Sequence, residues 1–306
     1  MTGPKAEAVF GIDLGGTKLH TALADRNGVI LAERVEPTDR RGGLDVIAQI
    51  DAALEHLAEE AGIARQSVRL GVMGCPGVLQ PQTGSVAVAP NIPGFDVLDV
   101  VRELEARLRL PMTVENDVNL AAEGELWRGR RSANFVFVAH GTGIGMGIVA
   151  NGALVRGAKG AAGEIAYLPL GGDPFDREGF RLGTLETAIG SAAIVQRYAA
   201  HGGRADATVR EIFDALGRDD AAADLALDET AGILAQAIAA VASVLDPEVV
   251  VTGGSIGARR ELIARVRVHL ARCMPVPPPV EISRLGDRAA VVGALGVALR
   301  RLGGQA

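Results

Sequence analysis

Cysteine is almost missing from this chain: two residues, Cys75 and Cys273, in 306. So low a count excludes a disulfide framework, and arithmetic excludes a zinc site built on three or four thiolates. Two unpaired thiols in a reducing compartment are expected. Aromatic residues are also scarce, at 3 %, so any core must be built from Ala, Val, Leu and Ile. No apolar run in the sequence reads as long as the ~20 residues of a membrane span. The first residues lack the apolar stretch of a signal peptide. A cytoplasmic protein with no membrane partner is expected. An excess of positive charge is lacking too. The formal net charge is −6, which argues against non-specific affinity for nucleic acid or anionic lipid.

Glycine, by contrast, is abundant: 40 residues, set in short clusters between apolar runs. Strand patterns over 8–14, 18–24 and 29–35, joined through Asp25-Arg26-Asn27-Gly28, predict an antiparallel meander. Helical spacing is seen over 44–61, 97–108, 116–127, 187–200, 208–216, 228–245, 258–271 and 289–302. Further strands are expected at 68–73, 86–89, 112–114, 134–139, 148–150, 249–252 and 280–283. Each half opens on antiparallel strands and passes to alternating strands and helices. This predicts a duplicated α/β architecture, with domains 1–117 and 118–288 and a C-terminal helix, 289–306, packing back on the first.

Three glycine turns carry the chemistry. In Asp13-Leu14-Gly15-Gly16-Thr17-Lys18 the glycines let backbone N–H groups approach a phosphate, and Thr17 and Lys18 add donors. Asp13, at a strand end, suits Mg2+ held through water. Gly141-Thr142-Gly143-Ile144-Gly145-Met146-Gly147 has the wrong spacing for a dinucleotide fingerprint and leads into a strand rather than a helix, so a phosphate clasp is expected instead. Gly253-Gly254-Ser255 follows a strand and would admit a flat ligand such as adenine. No P-loop and no protein-kinase motif set occurs. Glu115-Asn116-Asp117 lies between a strand and a helix. Capping alone would explain such residues. Beside two phosphate-type turns, however, Asp117 becomes a candidate base for phosphoryl transfer to an alcohol.

These segments, with Pro90-Asn91-Ile92-Pro93-Gly94 and Ala162-Gly163-Glu164-Ile165, stand in the order and spacing of the ROK family, which the chain resembles over essentially its whole length. That family comprises bacterial glucokinase-like sugar kinases and related repressors. The resemblance implies a two-domain actin-like, ribonuclease-H-like α/β fold with an interdomain cleft. It also implies ATP and Mg2+ as cofactors, with ATP on the glycine turns (Gly15, Gly16, Thr17, Lys18; Gly141, Thr142, Gly143; Gly253, Gly254). A sugar would be held by Gly77, Asn91, Asn116, Glu164 and Glu186, with Asp117 as the catalytic base. A homodimer or homotetramer is implied as well. Glucose is the first substrate guess, and N-acetylmannosamine and N-acetylglucosamine are the alternatives.

The chain departs from the family at its zinc site. Tyr167 stands where a ligating, sugar-contacting histidine is usual, and Arg177, Gly179 and Thr184 occupy three cysteine positions. No zinc is expected; Tyr167 becomes a candidate sugar contact, and Tyr167, Phe175 and Phe180 are the side chains expected to pack in place of the metal. A sugar-sensing regulator is disfavoured because only twelve residues precede Asp13, which leaves no expected room for a helix-turn-helix. A catalytically inactive sugar-binding protein is the other alternative, disfavoured by the joint presence of Asp13, Thr17, Asp117 and Gly143.

Overall fold

The computed structural model describes residues 7–79, 83–87 and 92–304. In chain order it contains β1 (Ala8–Leu14), β2 (Lys18–Asp25), β3 (Ile30–Pro37), α1 (Gly43–Glu60), β4 (Val68–Cys75), a short hairpin β5–β6 (Val78–Leu79, Val86–Ala87), α2 (Val100–Leu108), β7 (Met112–Asn116) and α3 (Asp117–Arg128). Then come β8 (Phe135–His140), β9 (Ile144–Ala150), β10 (Ala153–Leu154), α4 (Arg177–Leu182), α5 (Thr184–Ile189), α6 (Ser191–Ala200), α7 (Val209–Ala215) and α8 (Ala221–Leu245). The chain closes with β11 (Val249–Gly253), α9 (Gly254–Gly257), α10 (Arg260–Cys273), β12 (Val280–Ile282) and α11 (Ala289–Gly303).

Two compact units result. The first comprises Met1–Arg131, Arg156–Ala161 and Arg288–Ala306; the second comprises Ser132–Val155 and Ala162–Asp287. The first unit thus runs past residue 117, because α3 packs along α11 and stays with it.

Each unit is built on a five-stranded sheet, and the two sheets share one plan. The first has the order β3-β2-β1-β4-β7 and the second β10-β9-β8-β11-β12. In each, the first three strands of the order are antiparallel and the last three are parallel. The parallel strands read as near-continuous apolar runs because both their faces are covered. In unit 1, Phe10, Ile12, Leu14 and Met73 are fully buried with Ile47, Ile50 and Leu54 of α1. In unit 2, Val136, Val138 and Val250 pack with Leu234 and Ile238 of α8 and Leu262 and Val266 of α10.

Helix α8 runs for 25 residues, longer than the expected 228–245. By length and composition alone it could cross a membrane, contrary to the reading that no run is long enough. The early turns, held by Asp220 accepting from the Ala223 N–H, were missed because Ala221–Leu227 lacks a clear polar face. Alanines at 223, 226, 231, 235 and 237 are buried in the unit 2 core, as suits a central helix of a folded unit.

Candidate active site

In unit 1 the chemistry gathers where the parallel strands end. Register pairs Asp13 of β1 with Gly74 of β4, and Gly74 with Glu115 of β7. Asp13, Cys75, Asn116 and the start of α3 are therefore brought to one edge of the sheet, the edge where ligands bind in parallel α/β sheets. Gly74 makes room: a Cβ there would lie 3.1 Å from Leu120 and 3.4 Å from the Cα of Asp117.

Asn116 caps α3. Its Oδ1 accepts from the backbone N–H groups of Val118 (2.9 Å) and Asn119 (3.1 Å), and its Nδ2 donates to the Gly77 carbonyl at 3.2 Å. Gly77 has φ +104°, a conformation open to glycine. Capping, the bland explanation of Asn116, is thus real, and it also fastens the Gly77 loop. Glu115 is an anchor. It accepts from the Asn119 amide at 3.0 Å and from Arg156 at 2.6 Å.

Asp117 opens the helix, half-buried. Its Oδ1 accepts from the Val118 N–H at 2.9 Å. Burial raises its pKa above the usual carboxylate range, and backbone N–H groups oppose the shift. Cys75 is buried, and desolvation, with Asp117 and Asp13 nearby, pushes its thiol far up. That keeps it a protonated, inert thiol at neutral pH.

The turn from β1 to β2 is closed by Gly15 N–H donating to the Lys18 carbonyl at 2.9 Å. Thr38 pins it, donating through its hydroxyl to the Gly15 carbonyl at 2.7 Å and through its N–H to the Thr17 carbonyl at 3.2 Å. Thr17 is exposed, with Gly16 and Lys18 half-buried beside it. Asn91 lies outside the described residues.

In unit 2 the second glycine segment is mostly strand. Only Gly141, Thr142 and Gly143 form the turn, and β9 begins at Ile144 rather than 148. Gly141 N–H closes it on the Gly143 carbonyl at 2.9 Å. The carboxylate of Glu186, in the first turn of α5, accepts from the Ile144 N–H at 3.1 Å. A Cβ on Gly143 would fall 2.1 Å from that carboxylate, so a larger residue there would have to displace the Glu186 side chain. Burial raises the pKa of Glu186. The expected helix 187–200 is broken in two at Gly190, where a Cβ would meet the Thr142 carbonyl at 2.8 Å.

The third turn is closely packed. A Cβ on Gly253 would strike the Phe137 ring at 2.5 Å, and Gly254 (φ +81°) lies against the His140 carbonyl. These glycines therefore serve close packing within the protein. The exposed side of Gly254 and Ser255 is what remains for a ligand.

Glu164 is exposed, and the Tyr167 N–H donates to its carbonyl at 3.3 Å. Tyr167, Pro174, Phe180, Arg181 and Thr184 line an open pocket of about 570 Å³. The three rings expected to pack in place of a metal do not do so. Phe175 is 93 % exposed, Phe180 80 % and Tyr167 49 %. The segment is held instead by the backbone: Asp176 caps α4 through the Gly179 N–H, and Gly183 (φ +96°) lies so close to the Ala166 carbonyl that a Cβ would sit 2.3 Å from it. His140 was not singled out by sequence reasoning. It is buried at the end of β8, next to the Gly141 turn.

The fold is that of kinases of the actin-like ATPase fold. One is the ROK hexokinase of Thermus thermophilus, with TM-score 0.82 and 30 % identity, covering 97 % of this chain and 99 % of that one. Another is a ROK family glucokinase from Streptomyces griseus, solved with glucose and AMPPNP, with TM-score 0.79 and 25 % identity over 96 % of this chain and 99 % of that one. The ROK family model matches residues 9–301. A glucokinase from Halalkalibacterium halodurans is 33 % identical, with 92 % of each chain covered. The chain belongs to the ROK family.

Proposed function

We propose that this chain is an ATP-dependent sugar kinase that phosphorylates a hydroxyl of a hexose or hexosamine, with glucose as the first candidate and Asp117 as the base. The observation that carries the reading is Asp117 itself. It is a half-buried carboxylate on the first turn of α3, set by register at the same sheet edge as Asp13, with its pKa raised by burial.

An alcohol must lose its proton as it attacks a γ-phosphate, and most of the acceleration comes from positioning and charge stabilisation. A raised pKa makes Asp117 a better proton acceptor than an ordinary aspartate. Asn116 has committed its oxygen to the helix cap and one amide hydrogen to Gly77, so its second amide hydrogen is left for a sugar hydroxyl. Glu164 and Tyr167 supply further polar groups to read hydroxyls, which gives selectivity when such groups are desolvated. The Gly15–Lys18 and Gly141–Gly143 turns would hold phosphates on their N–H groups. Asp13 fits Mg2+, since one carboxylate at a strand end plus water is the donor set that ion takes. Bound there, Mg2+ would neutralise phosphate charge.

The test is ADP release with ATP, Mg2+ and a panel of sugars that includes glucose, N-acetylmannosamine and N-acetylglucosamine. Sugar-dependent turnover is expected for the wild type, with a loss of roughly 10²–10⁴-fold in Asp117→Asn. Turnover that survives the substitution would remove Asp117 as the base. Sugar binding without turnover would favour an inactive sugar-binding protein.

A further inference from the structure

His140 is the last residue of β8 and 1 % exposed. Its Nε2 lies 2.6 Å from the carbonyl oxygen of Ile189, the last residue of α5. A carbonyl only accepts, so Nε2 carries the proton and Nδ1 is bare. That Nδ1 is buried with no hydrogen-bond partner among the described residues. Burying a bare polar nitrogen costs stability, and an apolar side chain of similar size would avoid the cost. Burial also holds the pKa down at about 4, so the neutral tautomer persists at physiological pH.

What His140 joins explains its presence. The Ile189 carbonyl is in the last turn of α5, where acceptors lack partners within the helix. The same helix reaches the glycine turn from its other end, through Glu186 and the Ile144 N–H at 3.1 Å. Just beyond it, the Ser191 N–H donates to the Thr142 carbonyl at 3.1 Å. Helix α5 and the first residue of α6 are thus tied to the Gly141–Gly143 turn at three points: before it, within it and after it. His140 provides the only one of the three made by a side chain on the turn's own strand. Gly254 and Gly257 in turn pack against His140, with would-be Cβ contacts of 2.5 Å to its carbonyl and 3.3 Å to its Cβ.

We propose that His140 is a positioning residue that couples the sugar and nucleotide subsites, by holding the Glu186-bearing helix in register with the glycine turn. This rests on the reading that Glu186 serves the sugar and the turn serves ATP. Ordering of the turn by nucleotide then pre-sets Glu186 for the sugar, and by reciprocity the sugar tightens nucleotide binding.

The test is calorimetric. Affinity for the sugar that the wild type turns over, glucose first, is measured with and without a non-hydrolysable ATP analogue. The wild-type ratio is expected to be at least about fivefold. In His140→Leu it should fall below about twofold. In His140→Gln, whose amide nitrogen reaches the place of Nε2, it should recover. If His140→Leu fails to melt cooperatively, His140→Phe replaces it as the ring without a donor. A purely structural role would lower the melting temperature and leave the ratio unchanged. An unchanged ratio in the folded donor-less variant, or no coupling in the wild type, overturns the proposal. Failure of the wild type to bind either ligand would instead defeat the functional reading beneath it.

Discussion

Asp117 is subject to opposed demands. Burial raises its pKa, while the Val118 N–H lowers it, and burial prevails. The charged form that the proposed base needs is therefore the form that folding disfavours. The folded pKa lies above the unfolded value of about 3.9. The stability this lends is fully present below the unfolded pKa and is lost as pH rises through the folded pKa. At neutral pH, Asp117→Asn removes a desolvated charge and should raise the melting temperature by a few degrees even as turnover falls by the roughly 10²–10⁴-fold expected for loss of the base. Near pH 4 the gain should vanish. Melting curves of both proteins from pH 4 to 8 check this, and a gain independent of pH would contradict it. The sequence exposes Asp117 because a carboxylate at a strand–helix junction between glycine turns is a local pattern. His140 leaves no such trace. Its partner is 49 positions away, and only the folded chain brings them together.

At the scale of elements, the helix that carries Asp117 is held by backbone contact. A Cβ on Gly293 of α11 would lie 1.7 Å from the Leu120 carbonyl of α3, and one on Gly124 would lie 2.2 Å from the Ala289 carbonyl. The glycines let the two helices touch without side chains between them. Gly293→Ala should force them apart, at a cost of about 1–3 kcal/mol, and should lower kcat by moving α3. Gly303→Ala, on the same helix with nothing within 4 Å of the new Cβ, is the control. Chemical denaturation and kinetics measure both, and equal effects from the two substitutions would exclude the packing argument. Periodicity locates α11 and α3, yet it cannot show that their glycines face each other. The same limit hid the break at Gly190. A lone glycine is tolerated in a helical pattern, and the reason for this one is the Thr142 carbonyl packed against it.

At the scale of the whole chain, the order of the motifs makes family and fold legible, because five spaced segments constrain each other where each alone would be weak. The substitutions at the zinc positions are equally legible, but what replaces the metal is not. The rings of Tyr167, Phe175 and Phe180 in this segment suggest aromatic packing, whereas Phe175 and Phe180 are exposed and the segment closes on a cap and a glycine approach. Backbone closure of this kind needs no cross-link. Among the described residues no group of three or more His, Cys, Asp or Glu is placed to hold a metal. Structural zinc contributes directly to folding where its ligands exist, so a chain that folds without it should show this in two ways. Elemental analysis of the purified protein should find far less than one zinc per chain. A chelator should leave the melting temperature unchanged while arresting turnover by withdrawing Mg2+ from ATP. One zinc per chain, or a melting temperature that falls with chelation, would mean that other residues had rebuilt the site. The exposed rings around Tyr167 would then need a different account.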